Sequence, residues 1–203
     1  MTNTGNTKED AAKLNLYIKF LKERLFFEPG SATMHYNLGL AYTHKGLIDV
    51  AISEFKQAIE CEPNLPEAHV NLGGLFMRKG DREACIEANL KALELNPDFS
   101  AAHNNLAFAY MAAGQLEEAI RHSEKALELT PGSPQAYNLL ATAYLESGRP
   151  EAAAELSTKM MNDNPSFAPA HFNLGVALRA LGRNEEADDH IQKAKELGYP
   201  VED

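Results

Sequence analysis

The sequence predicts an all-α protein, a solenoid of antiparallel helix pairs, and three observations predict it. Leucines recur at Leu38, Leu72, Leu106, Leu140 and Leu174, each step being 34 residues. Four of them stand in the related tripeptides Asn37-Leu38-Gly39, Asn71-Leu72-Gly73, Asn105-Leu106-Ala107 and Asn173-Leu174-Gly175. Glycines hold the same register at Gly46, Gly80, Gly114, Gly148 and Gly182, and prolines hold it at Pro63, Pro97, Pro131 and Pro165. A register kept this long marks stacked units, each of which buries its apolar face only against its neighbours. Function is therefore to be sought in a surface built by stacking.

The first element is a helix over residues 7 to 27. Thr7 is its expected N-cap, with Asp10 three residues on, and Leu14, Tyr17, Ile18, Leu21 and Leu25 form a helical stripe. Pro29-Gly30 ends it. Moved by one period, Leu14, Ile18, Lys22, Leu25 and Pro29 fall on Ile48, Ile52, Lys56, Ile59 and Pro63. Residues 1-31 thus read as an N-terminal capping helix, the second helix of a repeat whose first helix is missing. Tyr17 stands where the full units place Ala or Cys.

Five units follow, at 32-65, 66-99, 100-133, 134-167 and 168-201, within 32-203. Each holds a helix, a glycine suited to end that helix in the left-handed conformation, and a second helix that proline closes in the first four. Small residues recur on the first helix (Gly39, Gly73, Ala107, Ala141, Gly175) and on the second (Ala51, Cys85, Ala119, Ala153, Ala187). They permit a short axis separation between paired helices. Ile52 and Ile59, Ile86 and Leu93, Ile120 and Leu127, and Ala154 and Met161 are expected to face the following unit; in the fifth unit these phases become Asp188 and Lys195. A polar outer face of this kind suits a terminal cap, so the solenoid is expected to be complete.

The pattern Leu38-Gly39, Tyr42, Gly46, Ala51, Phe55, Ala58, Pro63 resembles the tetratricopeptide repeat, whose length is also 34 residues. The family's aromatic at position four is replaced by His35, His69, His103 and His171, with Tyr137 in the fourth unit, and the fifth unit has Leu178 at position eleven. The resemblance implies a right-handed superhelix of less than one full turn and a role in binding other proteins. It implies a concave groove lined by first helices, at Tyr36, Leu40, Thr43, His44, Val70, Met77, Arg78, Asn104, Phe108, Met111, Thr142, Leu145, Phe172, Val176 and Arg179. The recurring Asn37, Asn71, Asn105 and Asn173 resemble the asparagine ladder in the superhelix of O-linked N-acetylglucosamine transferases, which holds peptide backbone; Leu139 interrupts it in the fourth unit. An asparagine amide both donates and accepts, so it can pair with a peptide unit. The family's clamp for the carboxylate tails of heat-shock chaperones retains only Asn71 of its middle positions, so no binding of a Glu-Glu-Val-Asp tail is expected.

A formal charge of −10 argues against nucleic acid and anionic membrane as partners. No leader-like segment and no apolar run of about 18 residues is visible, so a cytoplasmic location is expected. Cys61 and Cys85 are expected as free, buried or half-buried thiols. No phosphate-binding loop, cofactor motif or metal-ligand spacing stands out. Equivalent histidines should lie on the order of 10 Å apart, too far to share a metal, and they read as packing residues between helices. The function that follows is a non-catalytic protein-interaction adaptor, holding an extended or helical segment of a protein or peptide partner. The alternative is a self-assembling scaffold, a weak homo-oligomer in which the N-terminal helix or the groove meets a second copy. A regulatory subunit of an enzyme or of a secretion or assembly complex ranks below both.

Overall fold

The computed structural model describes residues 4–201, and side-chain surroundings from Glu9 onward. The described residues form eleven α-helices and no strand. They divide into two compact units, Met1–Pro97 and Asp98–Asp203.

The first unit holds α1 (Thr4–Phe27), α2 (Ala32–His44), α3 (Ile48–Cys61), α4 (Pro66–Lys79) and α5 (Arg82–Leu95). Helix α1 begins three residues before the expected cap Thr7, whose side chain lies outside the described residues. Helices end where backbone chemistry requires it. Gly80 follows α4 at φ 79°, and the amides of Gly80 and Asp81 return to the carbonyls of Met77 and Phe76 at 2.9 and 3.0 Å. The Asp81 carboxylate then caps α5 by accepting from the Ala84 amide at 3.1 Å. Ile18 and Leu21 of α1 pack with Leu38, Ala41 and Tyr42 of α2, Ala51, Ile52 and Phe55 of α3, and Ala68, Leu72 and Leu75 of α4. Phe55 is fully buried, worth about 1.5–3 kcal/mol of transfer free energy.

The second unit holds α6 (Ser100–Ala112), α7 (Leu116–Leu129), α8 (Pro134–Glu146), α9 (Pro150–Asp163), α10 (Ala168–Ala180) and α11 (Asn184–Glu196). Ile120 and Leu127 of α7 pack with Leu140 and Ala143 of α8, and Ala154 and Met161 of α9 pack with Leu174 and Leu178 of α10. These are the stacking contacts expected from the sequence, and Asp188 and Lys195 on α11 are exposed. Arg149 ties α9 to Glu117 of α7 by an exposed ion pair.

Small residues on the first helices sit under matched side chains on the second. A methyl group added at Gly39 would lie 2.7 Å from the Phe55 ring, one at Gly73 1.9 Å from Asn89 Nδ2, and one at Gly175 2.6 Å from Ile191 Cγ1. In the third and fourth units the first helix carries Ala107 and Ala141, and the position 16 residues on is Ser123 and Ser157, all fully buried. Glycine thus accompanies a large partner and alanine a small one. Cys85 is buried as expected, its thiol pushed up to about 11 by burial, whereas Cys61 ends α3 and is exposed. Proline at position 63 stops the helix at Cys61, so no further turn covers it.

Candidate peptide-binding face

The first helices carry the predicted site, and each unit contributes its own part. In the first unit Tyr36 and Asn37 lie on α2 and Asn71 on α4. Asn71 gives its two amide hydrogens to the Glu67 carbonyl at 2.8 Å and to the Tyr36 hydroxyl at 3.3 Å. Both donors are therefore engaged, and Oδ1 stays as an acceptor. Asn37 is half-buried and makes no hydrogen bond among the described residues. The Tyr36 ring meets Phe55 edge to face at 5.5 Å, and burial raises its phenol pKa against the opposing hydrogen bond from Asn71. The hydroxyl is thus protonated at neutral pH and keeps its own hydrogen to donate. Leu40 and Met77 are half-buried, Thr43 donates to the Gly39 carbonyl at 2.8 Å, and His44 and Arg78 are exposed. Val70 is 9% exposed, so it belongs to the packed interior more than to a contact face.

In the second unit Phe108 is the most open large hydrophobic side chain among the described residues, at 45% exposure. Asn105, Thr142, Leu145 and Val176 are half-buried, and Met111 is half-buried against the cluster around Ile120. Asn104 is buried, and its Oδ1 has no hydrogen-bond partner among the described residues. Asn173 is 7% exposed and donates to the Tyr137 hydroxyl at 3.4 Å, which also meets Ser157 Oγ at 2.9 Å. Its surroundings are interior, so this rung offers a partner far less surface than Asn37. Phe172 stacks on Tyr199 at 4.7 Å, and Arg179 is held by Asp188 at 2.6 Å. Both residues are thus engaged by the chain's own C-terminal segment.

Sequence reasoning missed two contributors, Tyr137 and Tyr199, and one role of Tyr36. Tyr137 was read only as a variant of the histidine position, and its hydroxyl anchors Asn173. Tyr36, expected as a lining residue, also orients Asn71. Tyr199 occupies the phase where earlier units carry proline, and that substitution was the one signal that the C-terminal segment turns back.

Histidines bridge three of the helix pairs, α2 with α3, α6 with α7 and α10 with α11. His35 Nδ1 pairs with Glu54 at 2.8 Å, His103 Nδ1 meets His122 Nδ1 at 2.8 Å, and His171 Nδ1 meets His190 Nδ1 at 3.2 Å. Arg121 donates to His122 Nε2 at 2.9 Å, so His122 accepts there and offers Nδ1–H to His103. Burial first, then Arg121 and His103, lower the His122 pKa to about 4. Among the described residues no group of three His, Cys, Asp or Glu is placed to hold a metal ion, and no helix is long and apolar enough to cross a membrane.

Tetratricopeptide-repeat profiles match residues 39–80, 66–99, 98–162 and 144–197, a continuous span of the helix pairs. The chain is a tetratricopeptide-repeat protein. Among solved structures, a MamA protein is similar with 27% identity and a TM-score of 0.74, over 82% of this chain and 91% of that one. MamA from Desulfovibrio magneticus RS-1, from residue 41 to its end, gives 23% identity and a TM-score of 0.75 over 82% and 94%. YrrB, described as a tetratricopeptide-repeat protein with an unusual peptide-binding site, gives 17% identity and a TM-score of 0.76 over 88% and 92%, a likeness of fold. No curated protein matches the sequence. Within the tetratricopeptide-repeat frame, Asn37 and Asn71 lie half-buried on successive first helices of one compact unit.

Proposed function

We propose that this tetratricopeptide-repeat protein is a protein-interaction scaffold whose first-helix face in the first unit holds an extended segment of a partner polypeptide. The observation that carries the reading is the pair Asn37 and Asn71. The first has an amide with no hydrogen bond among the described residues, and the second has an oriented acceptor. An extended chain advances about 3.3 Å per residue, and equivalent positions on stacked helices lie on the order of 10 Å apart. Successive rungs would therefore meet about every third peptide unit. Asn71 accepts a peptide N–H through Oδ1, and Asn37 either donates or accepts. The half-buried Leu40 and Met77 supply adaptable apolar contact beside them. Binding of this kind requires no catalytic group.

Selection from a library of extended peptides, followed by fluorescence anisotropy, tests the reading. Each lost hydrogen bond removes about 0.5–1.5 kcal/mol, so Asn37→Ala with Asn71→Ala should weaken the selected peptide by roughly 5- to 150-fold. The circular dichroism spectrum should stay unchanged. Equal affinity of the two proteins, or a library that yields no binder, refutes it.

A further inference from the structure

Helix α1 has two apolar sides, and only one is packed. Leu14, Ile18, Leu21 and Leu25 turn toward the core of the first unit. On the other side Leu16 is 69% exposed, Tyr17 43% and Phe20 53%, and with Lys13, Lys19 and Glu23 they line one shallow depression. The repeat register explains the bare side. One period on, Tyr17 becomes Ala51, which is fully buried, and Phe20 becomes Glu54, which accepts from His35 on the first helix of its own repeat. These phases face a first helix, and α1 has none among the described residues. Where the complete repeats carry Ala or Cys, Tyr17 is too large for the close approach that a tetratricopeptide first helix makes. The occupant must therefore accept bulky side chains.

The charges on the bare side say which occupant fits. Lys13, Leu16, Phe20 and Glu23 are spaced three, four and three residues apart, the spacing of a paired-helix seam with charged ends and an apolar middle. We propose that α1 pairs with α1 of a second copy through its bare side, antiparallel about a two-fold axis level with Ile18 along the helix. Residues whose numbers sum to 36 then face one another: Leu16 of each copy meets Phe20 of the other, and Lys13 meets Glu23. The two-fold makes every contact twice. A parallel pairing would instead set Lys13 against Lys13 and Glu23 against Glu23, so the charges select the antiparallel arrangement. Lys13 already lies 2.8 Å from Glu9, and Lys19 3.7 Å from Glu23, as exposed pairs that the new contacts extend into a network. One helix face per copy falls at the small end of specific interfaces, so the dimer is a weak and reversible one.

Sedimentation of the full chain between about 1 and 300 μM should show a monomer–dimer equilibrium with Kd on the order of 10 μM. Phe20→Asp should raise Kd at least tenfold, and Lys13→Glu should raise it several-fold. The combined Lys13→Glu, Glu23→Lys protein should associate more tightly than Lys13→Glu alone, short of the original because Glu9 and Lys19 then face like charges. All three side chains are exposed, so the circular dichroism of each variant should match the parent. A monomer at every concentration overturns the proposal and leaves the stripe to a different protein. A dimer indifferent to Phe20→Asp, or a double charge reversal that associates no more tightly than Lys13→Glu alone, overturns it as well.

Discussion

Replacing Gly73 by alanine sets two effects of known size against each other. Alanine is a better helix former than glycine by about 1 kcal/mol in a helix interior, so on an isolated helix the change would stabilise. Here the new methyl would lie 1.9 Å from Asn89 Nδ2 and 2.7 Å from Asn89 Cγ. Asn89 is fully buried and donates to the Cys85 carbonyl at 2.7 Å, so its amide can move only by giving up that bond inside the core. A buried amide left unsatisfied costs about 1–3 kcal/mol, and overpacking adds a similar amount. The net expectation is a destabilisation of about 1–5 kcal/mol, and more for Gly73→Leu. The third and fourth repeats supply the remedy, since they carry Ala with Ser at the same two positions. Gly73→Ala combined with Asn89→Ser should therefore recover much of the loss, giving a favourable coupling of roughly 1–3 kcal/mol. Urea unfolding followed by circular dichroism measures it, with the slope of the transition checked for loss of cooperativity between units. A single Gly73→Ala variant as stable as the parent, or a double variant no better than the single one, would refute the idea that side-chain volume is matched across each helix pair.

Further expectations concern buried polar groups. The folded pKa of His122 is lowered from its usual value to about 4, so the unfolded chain binds more protons between pH 6.5 and 4. Stability is present above about pH 6.5 and is lost as pH falls toward 4, by about 2 kcal/mol between pH 7 and pH 5. Urea midpoints at the two pH values should show this loss, and His122→Phe should remove most of it; an unchanged pH slope in that variant would contradict the assignment. Tyr137→Phe removes a hydroxyl that serves Asn173 and Ser157, and should cost about 1–3 kcal/mol. Thermal unfolding that shows no loss would mean these partners are satisfied elsewhere.

The site was only partly legible in the sequence. That the asparagines recur on first helices follows from their register, because residues one period apart share a helix face. Which of their atoms stays available does not follow from register. Asn71 and Asn173 meet tyrosines 35 and 36 residues earlier, and one tyrosine lies on a half-buried face and the other in the interior. Both asparagines read identically in sequence. Val70 likewise occupies an expected contact phase yet is packed inside, and Phe172 is covered by Tyr199.

What the chain determines by itself is set by local backbone chemistry. Proline denies the ladder a donor, glycine accepts a positive φ as at Gly80, and 34-residue spacing keeps each apolar stripe in phase. These rules act within a few residues and need no neighbour, so helix pairs and their ends could be read in advance. Tertiary structure decided the matching of Gly73 with Asn89, the engagement of the asparagine donors and the bare side of α1. Such outcomes depend on which atoms of distant residues approach within hydrogen-bond or van der Waals range, and periodicity alone carries no information at that scale.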